Sequence, residues 1–325
     1  MNGSWTCGEL AAWGTFRKRK WKSFDIHRVE MRTLWKKKIL EASTRHLVLA
    51  PDAAIDLQLH TTFSDGTWTP EQLIDYLVRE QFGLVAITDH DRVDIATVLQ
   101  QLAAEKQLPL LAAVEMSTSW SGELTDVLCY GFDPEKTALP ELARDIVRRQ
   151  RENTREICEN LRKIGISFPN LHELDALLAK PSAQQPHELV ALLKRLGYGT
   201  GEPSAGTLIT DAGFLWATND LATVVDAAHR SGAVCLIAHP GRGEGYTCYD
   251  AHLLDELQSQ VPIDGLEVYY PAHTLEQIAM YREYAKTHRL LTSSGSDSHG
   301  PEKKPIKYRA ELSRSLLERL GIQIS

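Results

Sequence analysis

The sequence predicts an α/β fold: a parallel β/α barrel interrupted by a helical insertion. Three observations lead there. Strand-like and helix-like segments alternate along most of the chain, the pattern of βα units on a mainly parallel sheet. Seven apolar runs are each tied to a His, Asp or Glu: IDLQLHTTFSDG (55–66), AITDHD (86–91), AAVEMS (112–117), TDVLCYGF (125–132), LIAHPGR (236–242), GLEVYY (265–270) and SGSDSHG (294–300). A parallel β/α barrel is the architecture that gathers residues just past successive strands on one face. Between about 138 and 206 the alternation stops and only helical patterns remain.

Residues 1–51 read as a basic N-terminal extension, with 11 Lys and Arg against 4 Asp and Glu in the first fifty residues. The folded region is expected from Asp52. AIDLQLH is the first strand. Thr69-Pro70-Glu71 opens a helix, because proline fits the first turn and an acidic residue favours it. Leu73, Ile74, Leu77 and Val78 give that helix an apolar face. GLVAIT, PLLAAVE and TDVLCYGF follow as strands, with the helix VDIATVLQQLAAEKQ between the first two. The barrel is thus assigned to 52–137 and 207–310, the helical insertion to 138–206, and a C-terminal helix or tail to 311–325. After the insertion come the helix LATVVDAAHRSG, the strand AVCLIA, a helix near 251–260, the strand GLEVYY, the helix TLEQIAMYREYAKTHR and the strand LLTSSGS.

Composition narrows the class. The chain has 325 residues, 43% hydrophobic and 24% charged, ordinary for a soluble protein. No apolar run approaches the ~20 residues of a membrane span, and the start lacks the form of a secretory signal. Five scattered cysteines without a CxxC pair argue against a disulfide framework and a thiolate zinc site. A cytoplasmic setting follows as the expectation. The basic extension reads as a tail, with nucleic-acid attraction as its functional alternative, and Met31 is a candidate translation start. Cys129 and Cys235 lie mid-strand as core residues, and Trp68 and Trp120 read as core or rim packing.

The chemistry sits at the strand ends. His60, Asp65, Asp89, His90, Glu115, Asp126, His239, Asp297 and His299 share one structural phase. Carboxylates crowded at one mouth would repel each other, and bound cations relieve that repulsion. Imidazole and carboxylate without thiolate suit Mn²⁺, Fe²⁺ or Zn²⁺, with Mg²⁺ also admissible. More than four ligands points to two or three ions.

The ordered motifs D-x-x-x-H-T-x-x-S-D-G (56–66), T-D-H-D (88–91), V-E-x-S (114–117), A-H-P (238–240) and G-S-D-x-H (295–299) resemble the PHP (polymerase and histidinol phosphatase) family. The insertion, with its arginine-rich start, resembles the branch of nucleoside 3′,5′-bisphosphate phosphatases and 5′-to-3′ exoribonucleases. The resemblance implies a distorted (β/α)7 TIM-like barrel and a trinuclear metal site. Carried over by position, one ion would take His60, Glu115 and Asp297. A second would share Glu115 with Asp126 and His239. A third would take Asp65, His90 and His299. Two residues depart from the family pattern. Gln58 stands where a histidine opens the His-x-His motif, offering a weaker amide oxygen, and Asp126 stands where histidine is usual. Both shift the expected preference from zinc towards Mn²⁺, Mg²⁺ or Fe²⁺.

Catalytic roles fall to Asp89, His90 and Asp65. Arg149 (with Arg148 and Arg151 as rivals), His187 and Arg242 are candidates for the substrate phosphate, and Glu267 for supporting the site. The expected function is a metal-dependent phosphoesterase hydrolysing a phosphate monoester of a nucleotide or oligonucleotide end by a metal-bridged hydroxide. Alternatives are a 5′-to-3′ exonuclease, a histidinol-phosphatase-like enzyme and a catalytically weakened metal-binding module. The expected partner is a small phosphorylated substrate, with nucleic acid a second class and no membrane.

Overall fold

The computed structural model describes residue 44 and residues 46–133, 136–243 and 245–325. Most of the basic extension, including Met31, lies outside them. The body begins at β1 (Val48–Leu49), upstream of the expected Asp52, and continues with β2 (Ala54–Asp56), α1 (Pro70–Arg79), β3 (Leu84–Ala86), α2 (Ala96–Glu105), β4 (Leu110–Leu111) and β5 (Ala113–Met116). A small side sheet follows from β6 (Thr118–Trp120) and β7 (Glu123–Leu124), then β8 (Val127–Tyr130). The insertion holds α3 (Leu139–Lys163), α4 (Leu171–Leu178) and α5 (Gln185–Arg195), and its helical run continues past the expected 206 with α6 (Ala205–Asp211). The chain returns through β9 (Asn219–Asp220), α7 (Leu221–Arg230), β10 (Val234–Ile237), α8 (Ala251–Gln260), β11 (Gly265–Tyr269), α9 (Leu275–His288) and β12 (Leu291–Ser294). It ends with β13 (Tyr308–Arg309), α10 (Arg314–Arg319) and β14 (Gln323–Ile324), the last pairing in parallel with β1.

Local signals set the helix starts. Thr69 caps α1 in a reciprocal capping box with Gln72, and Pro70 occupies the first turn. Thr274 and Gln277 repeat the device at α9. Asp220 and Asp250 cap α7 and α8 through the backbone N–H groups of Thr223 and Leu253.

Two sheets form the centre, ordered β12-β11-β10-β8-β5 and β13-β2-β3-β4. Among the described residues no continuous ladder closes them into a barrel. Backbone bonds at the strand ends join them instead: Leu57 N–H to Ser294 O at 3.1 Å, His60 N–H to Ser298 O at 2.9 Å and Glu115 N–H to Thr88 O at 3.0 Å. Most pairings are parallel, as expected, but the sheets are mixed. β8 runs antiparallel to both β5 and β10, and β13 antiparallel to β2. The cause is the connection: β5 reaches β8 through the short β6–β7 excursion, without the helix that a parallel crossover needs.

Side chains alternate across this centre with period two. Leu128, Tyr130, Val234 and Leu236 pack inward with Ile55, Leu57 and Leu84, and Leu316, Leu317 and Ile322 from the C-terminal segment join the same cluster. Val127, Cys129, Cys235 and Ile237 belong to the cluster that includes Leu221, Val225, Leu254 and Tyr281 from the surrounding helices. Trp120 packs in that second cluster and Trp68 in a third beneath α1 and α2. The insertion carries its own core, including Ile157, Leu161, Leu189, Leu193 and Ile209. Gln184 of the insertion donates to the Ser64 carbonyl, tying it to the loop after β2.

The two sheets cross tightly at Gly295. A Cβ there would lie 2.4 Å from both the Gln58 Cβ and the Glu267 Oε1. Gly295→Ala is therefore expected to destabilise the protein by ~1–3 kcal/mol, as overpacking does. An unchanged urea-unfolding midpoint would contradict this.

Candidate metal centre

The exits of β2, β3, β5, β10 and β12 meet at one end of the two sheets, and so does the start of β8. Asp126 precedes its strand, whereas His60, His90, His239 and Asp297 follow theirs and Glu115 lies within β5. The antiparallel direction of β8 is what brings that carboxylate to the common mouth. Three site residues have left-handed backbone: Asp91 (φ 55°), His239 (φ 31°) and Asp297 (φ 52°). Non-glycine residues seldom adopt this region, and such outliers cluster at functional sites. The turn after His60 needs Gly66, where a Cβ would come within 2.6 Å of the His60 carbonyl oxygen.

Glu115, fully buried, lies at the centre. Its Oε2 is 3.0 Å from His60 Nε2 and 3.8 Å from His90 Nε2. Its Oε1 is 3.0 Å from His239 Nε2, and Gln58 Nε2 donates to Oε2 at 3.0 Å. His60 Nε2 also approaches Asp297 Oδ1 at 3.2 Å. His299 Nε2 is 3.2 Å and His90 Nε2 3.9 Å from Asp65 Oδ2. The His60 ring stacks on His299 at 4.2 Å and on His90 at 4.9 Å.

Three groups of donor atoms each lie within 4.8 Å of one another: His60, Glu115 and Asp297; His90, Glu115 and Asp126; His60, Asp65, His90 and His299. They overlap the three sets implied by the family. His90 joins Asp126 here, while His239 reaches Glu115 from the other oxygen.

The donor set fits divalent cations on two grounds. Both His60 nitrogens, His90 Nδ1, Asp126 Oδ2 and Gln58 Oε1 are buried without a hydrogen-bond partner, although carboxylate oxygens stand close by. Buried polar atoms are ordinarily satisfied, and these converge on common points instead. The electrostatics agree. Burial pushes His90 down, but the Glu115 and Asp65 carboxylates pull it up to about 9. Glu115 would be raised by burial, yet the His90 charge and the His239 bond hold it well below the usual range. Protons on the imidazoles thus do the neutralising that a cation does when it displaces them. Burial raises Asp126 to about 6, with Glu115 adding to the effect.

A cavity of about 410 Å³ opens beside this centre. Asp65, His90, Asp126, His299, His187 and Arg242 line it. The Arg242 guanidinium lies 4.6 Å above the Tyr246 ring and 4.0 Å from Asp297 Oδ2. Two expected placements change. Asp89 does not line the cavity. It accepts from Thr61 N–H and Thr61 Oγ1, both at 2.7 Å, and from Ser64 Oγ at 2.6 Å, so it shapes the loop that carries His60 and Asp65. Arg149 is likewise outside the lining, held by Asp145 at 2.7 Å and Asn219 at 2.9 Å. Arg148 pairs with Asp145 and Glu152, and Arg151 donates to the Leu178 carbonyl. Gln58 points its NH₂ at Glu115, leaving Oε1 as its free donor atom. Glu267 accepts the His239 N–H at 3.0 Å and so fixes that ligand's backbone.

Among the cavity residues that sequence reasoning missed are Asp91, Gln150, Trp216 and Tyr246. Asp91 had a signal, the second acid of Thr-Asp-His-Asp, and it holds the Ser117 N–H and hydroxyl at 3.0 and 2.8 Å. The other three reach the cavity through tertiary packing of the insertion and the loop after β10.

Fold and site define a metal-dependent phosphoesterase, a phosphoric ester hydrolase. Its sequence is similar to those of nucleoside bisphosphate phosphatases and 5′-to-3′ exoribonucleases. The chain is 27% identical over 263 residues to a 3′,5′-nucleoside bisphosphate phosphatase of Chromobacterium violaceum, covering 77% of this chain and 88% of that one. It is 27% identical over 252 residues to a 5′-3′ exoribonuclease of Haemophilus influenzae, covering 76% and 90%. A crystal structure from Bifidobacterium adolescentis, inferred to be a metal-dependent phosphoesterase, matches with a TM-score of 0.66 and 25% identity over 84% of this chain and 97% of that one. No family model matches the chain. No helix among the described residues is long and apolar enough to cross a membrane.

Because Glu115 belongs to two donor groups, Glu115→Gln is expected to reduce bound metal by more than one ion per chain where several bind. Elemental analysis after metal loading reads this, and wild-type content in the variant would refute the shared role.

Proposed function

We propose that the protein hydrolyses a phosphate monoester of a nucleotide, using two or three divalent ions of the Mn²⁺ or Fe²⁺ kind held by His60, Asp65, His90, Glu115, Asp126, His239, Asp297 and His299. Zn²⁺ and Mg²⁺ remain alternatives of the same site. The observation that carries this reading is the convergence of unsatisfied imidazole and carboxylate atoms on a buried centre open to one cavity. Bound divalent ions would supply Lewis acidity, a lowered water pKa and charge neutralisation for the phosphoryl group. The chain supplies placement. Arg242, braced by Tyr246, presents a planar cation for a phosphoryl oxygen. Asp89 and Gly66 hold the loop that carries two ligands, and Glu267 holds a third. Residues of the insertion, among them Ile146, Gln150 and His187, wall the cavity. The central sheets, joined at their ends, fit a distorted barrel with seven principal strands.

A second reading has its own support. A cleft of about 470 Å³ adjoins the cavity, sharing Asp91 and Ser182, and Arg92, Arg144, Arg151 and Lys180 line it. Such a basic track suits the backbone of an oligonucleotide end, in line with the exoribonucleases among the relatives.

With Mn²⁺ added, the protein is expected to release phosphate from a generic aryl phosphate, and His90→Ala to lower the rate by ~100-fold or more. No turnover in the wild type, together with His90→Ala having no effect on any substrate, would leave only a non-catalytic metal-binding module. If the basic cleft guides oligonucleotides, their hydrolysis falls steeply between about 50 and 200 mM salt while hydrolysis of the aryl phosphate barely changes. Equal salt responses would exclude the track.

A further inference from the structure

The cavity runs from the metal centre towards the insertion, and its far wall holds a polar group that nothing among the described residues satisfies. Gln150 on α3 is 2% exposed and lines the cavity. Its Oε1 accepts the Ala217 N–H at 2.9 Å. That bond fixes the amide's orientation, because a backbone N–H can only donate. The amide NH₂ is therefore left over, buried and without an acceptor. Trp216 lines the same cavity and is 39% exposed. Its ring is braced edge-on by Phe214 at 5.1 Å and lies 6.1 Å from His187.

Charge on this wall is as informative. Among the described residues Arg242 is the only Lys or Arg lining the cavity, and it stands beside Asp297 at the metal centre. Arg149, the neighbour of Gln150, is held outside the lining by Asp145 and Asn219. Arg92 and Arg151 line the adjoining cleft, where Asp94 and the Leu178 carbonyl engage them. A second phosphate placed against the far wall would meet no Lys or Arg among the described residues, only the Gln150 amide, the Trp216 indole and the His187 imidazole. An aromatic heterocycle would meet a flat apolar face and a donor for its ring nitrogen or carbonyl.

We propose that Gln150 and Trp216 form a nucleobase subsite, making the preferred substrate a nucleoside monophosphate and Gln150 a specificity-determining residue. The proposal rests on the phosphoesterase reading above and deepens it. The Chromobacterium violaceum relative is named for a bisphosphate substrate. On this proposal the far wall, which carries no Lys or Arg among the described residues, gives the chain a selectivity different from that name.

The test compares kcat/KM for adenosine monophosphates, adenosine 3′,5′-bisphosphate and ribose 5-phosphate, using the metal-loaded full chain. The wild type is expected to favour the monophosphates over both others. Gln150→Leu should cut the advantage over ribose 5-phosphate about tenfold, the worth of one hydrogen bond. Gln150→Arg should raise the bisphosphate-to-monophosphate ratio about tenfold, through a charge-assisted bond to the second phosphate. A wild-type preference for the bisphosphate, or ratios unmoved by both variants, overturns the proposal. Titration calorimetry of adenosine against the metal-stripped chain gives a readout independent of turnover. Binding that weakens in Gln150→Leu supports the subsite even if no substrate releases phosphate, in which case the phosphoesterase reading alone fails. Equal adenosine binding by wild type and variant overturns it. Should Gln150→Leu not fold, Trp216→Leu takes its place in the same ratio and the same titration.

Discussion

A carboxylate with no access to water, Glu115, receives His60 and His90 on one oxygen and His239 on the other. An unpaired buried charge of this kind is costly, so the surrounding imidazoles must face it whatever else the fold does. Each of those imidazoles arrives from a different strand, and the strands come from two sheets that no continuous ladder closes. The pairing of Glu115 with its partners therefore also fixes how the sheets meet. The backbone bonds at the same level, from Leu57, His60 and Glu115 to residues of neighbouring strands, fall where the ligands project. Site geometry and sheet closure are one constraint seen from two sides.

The same constraint explains the supporting residues. Asp89 and Glu267 face backbone N–H groups or short hydroxyls instead of the cavity. Their work is to hold the turns that aim His60, Asp65 and His239. The left-handed backbone at Asp91, His239 and Asp297 serves that aim at a conformational cost the rest of the fold offsets. Outside this ring the insertion contributes no atom to the metal donor groups. It contributes the cavity walls instead, and with them the part of the molecule that can tell one phosphate ester from another.

Two kinds of cation surround the site. Arg242 lies within the cavity, steadied by Tyr246, and Arg92, Arg144, Arg151 and Lys180 lie in the cleft beyond Ser182. The first suits the reacting phosphoryl group and the others a backbone that continues past it. The cavity wall of Gln150 and Trp216, without Lys or Arg among the described residues, suits the proposed base. This division separates positioning of the phosphate, which any substrate needs, from recognition of what carries it.

Much of the centre was legible in the sequence because each donor stands next to a short apolar run and short runs keep their phase. His60, His90, Glu115, His239, Asp297 and His299 could be placed at one mouth from spacing alone, and Thr69-Pro70 marked its helix through local backbone chemistry. The direction of β8 was not legible, because an apolar run has the same alternation in either direction. Only the short connection through β6 and β7 decided it, and with it why Asp126 stands before its strand. Arg149 and Gln150 show the limit most plainly. On a helix, neighbouring residues point about 100° apart, and a sequence gives no origin for that rotation. Packing of α3 against the sheet and the insertion decided that the arginine faces Asp145 and Asn219 while the glutamine faces the cavity. The amino-acid order determined which chemistry is present, and tertiary contact determined which of it meets the substrate.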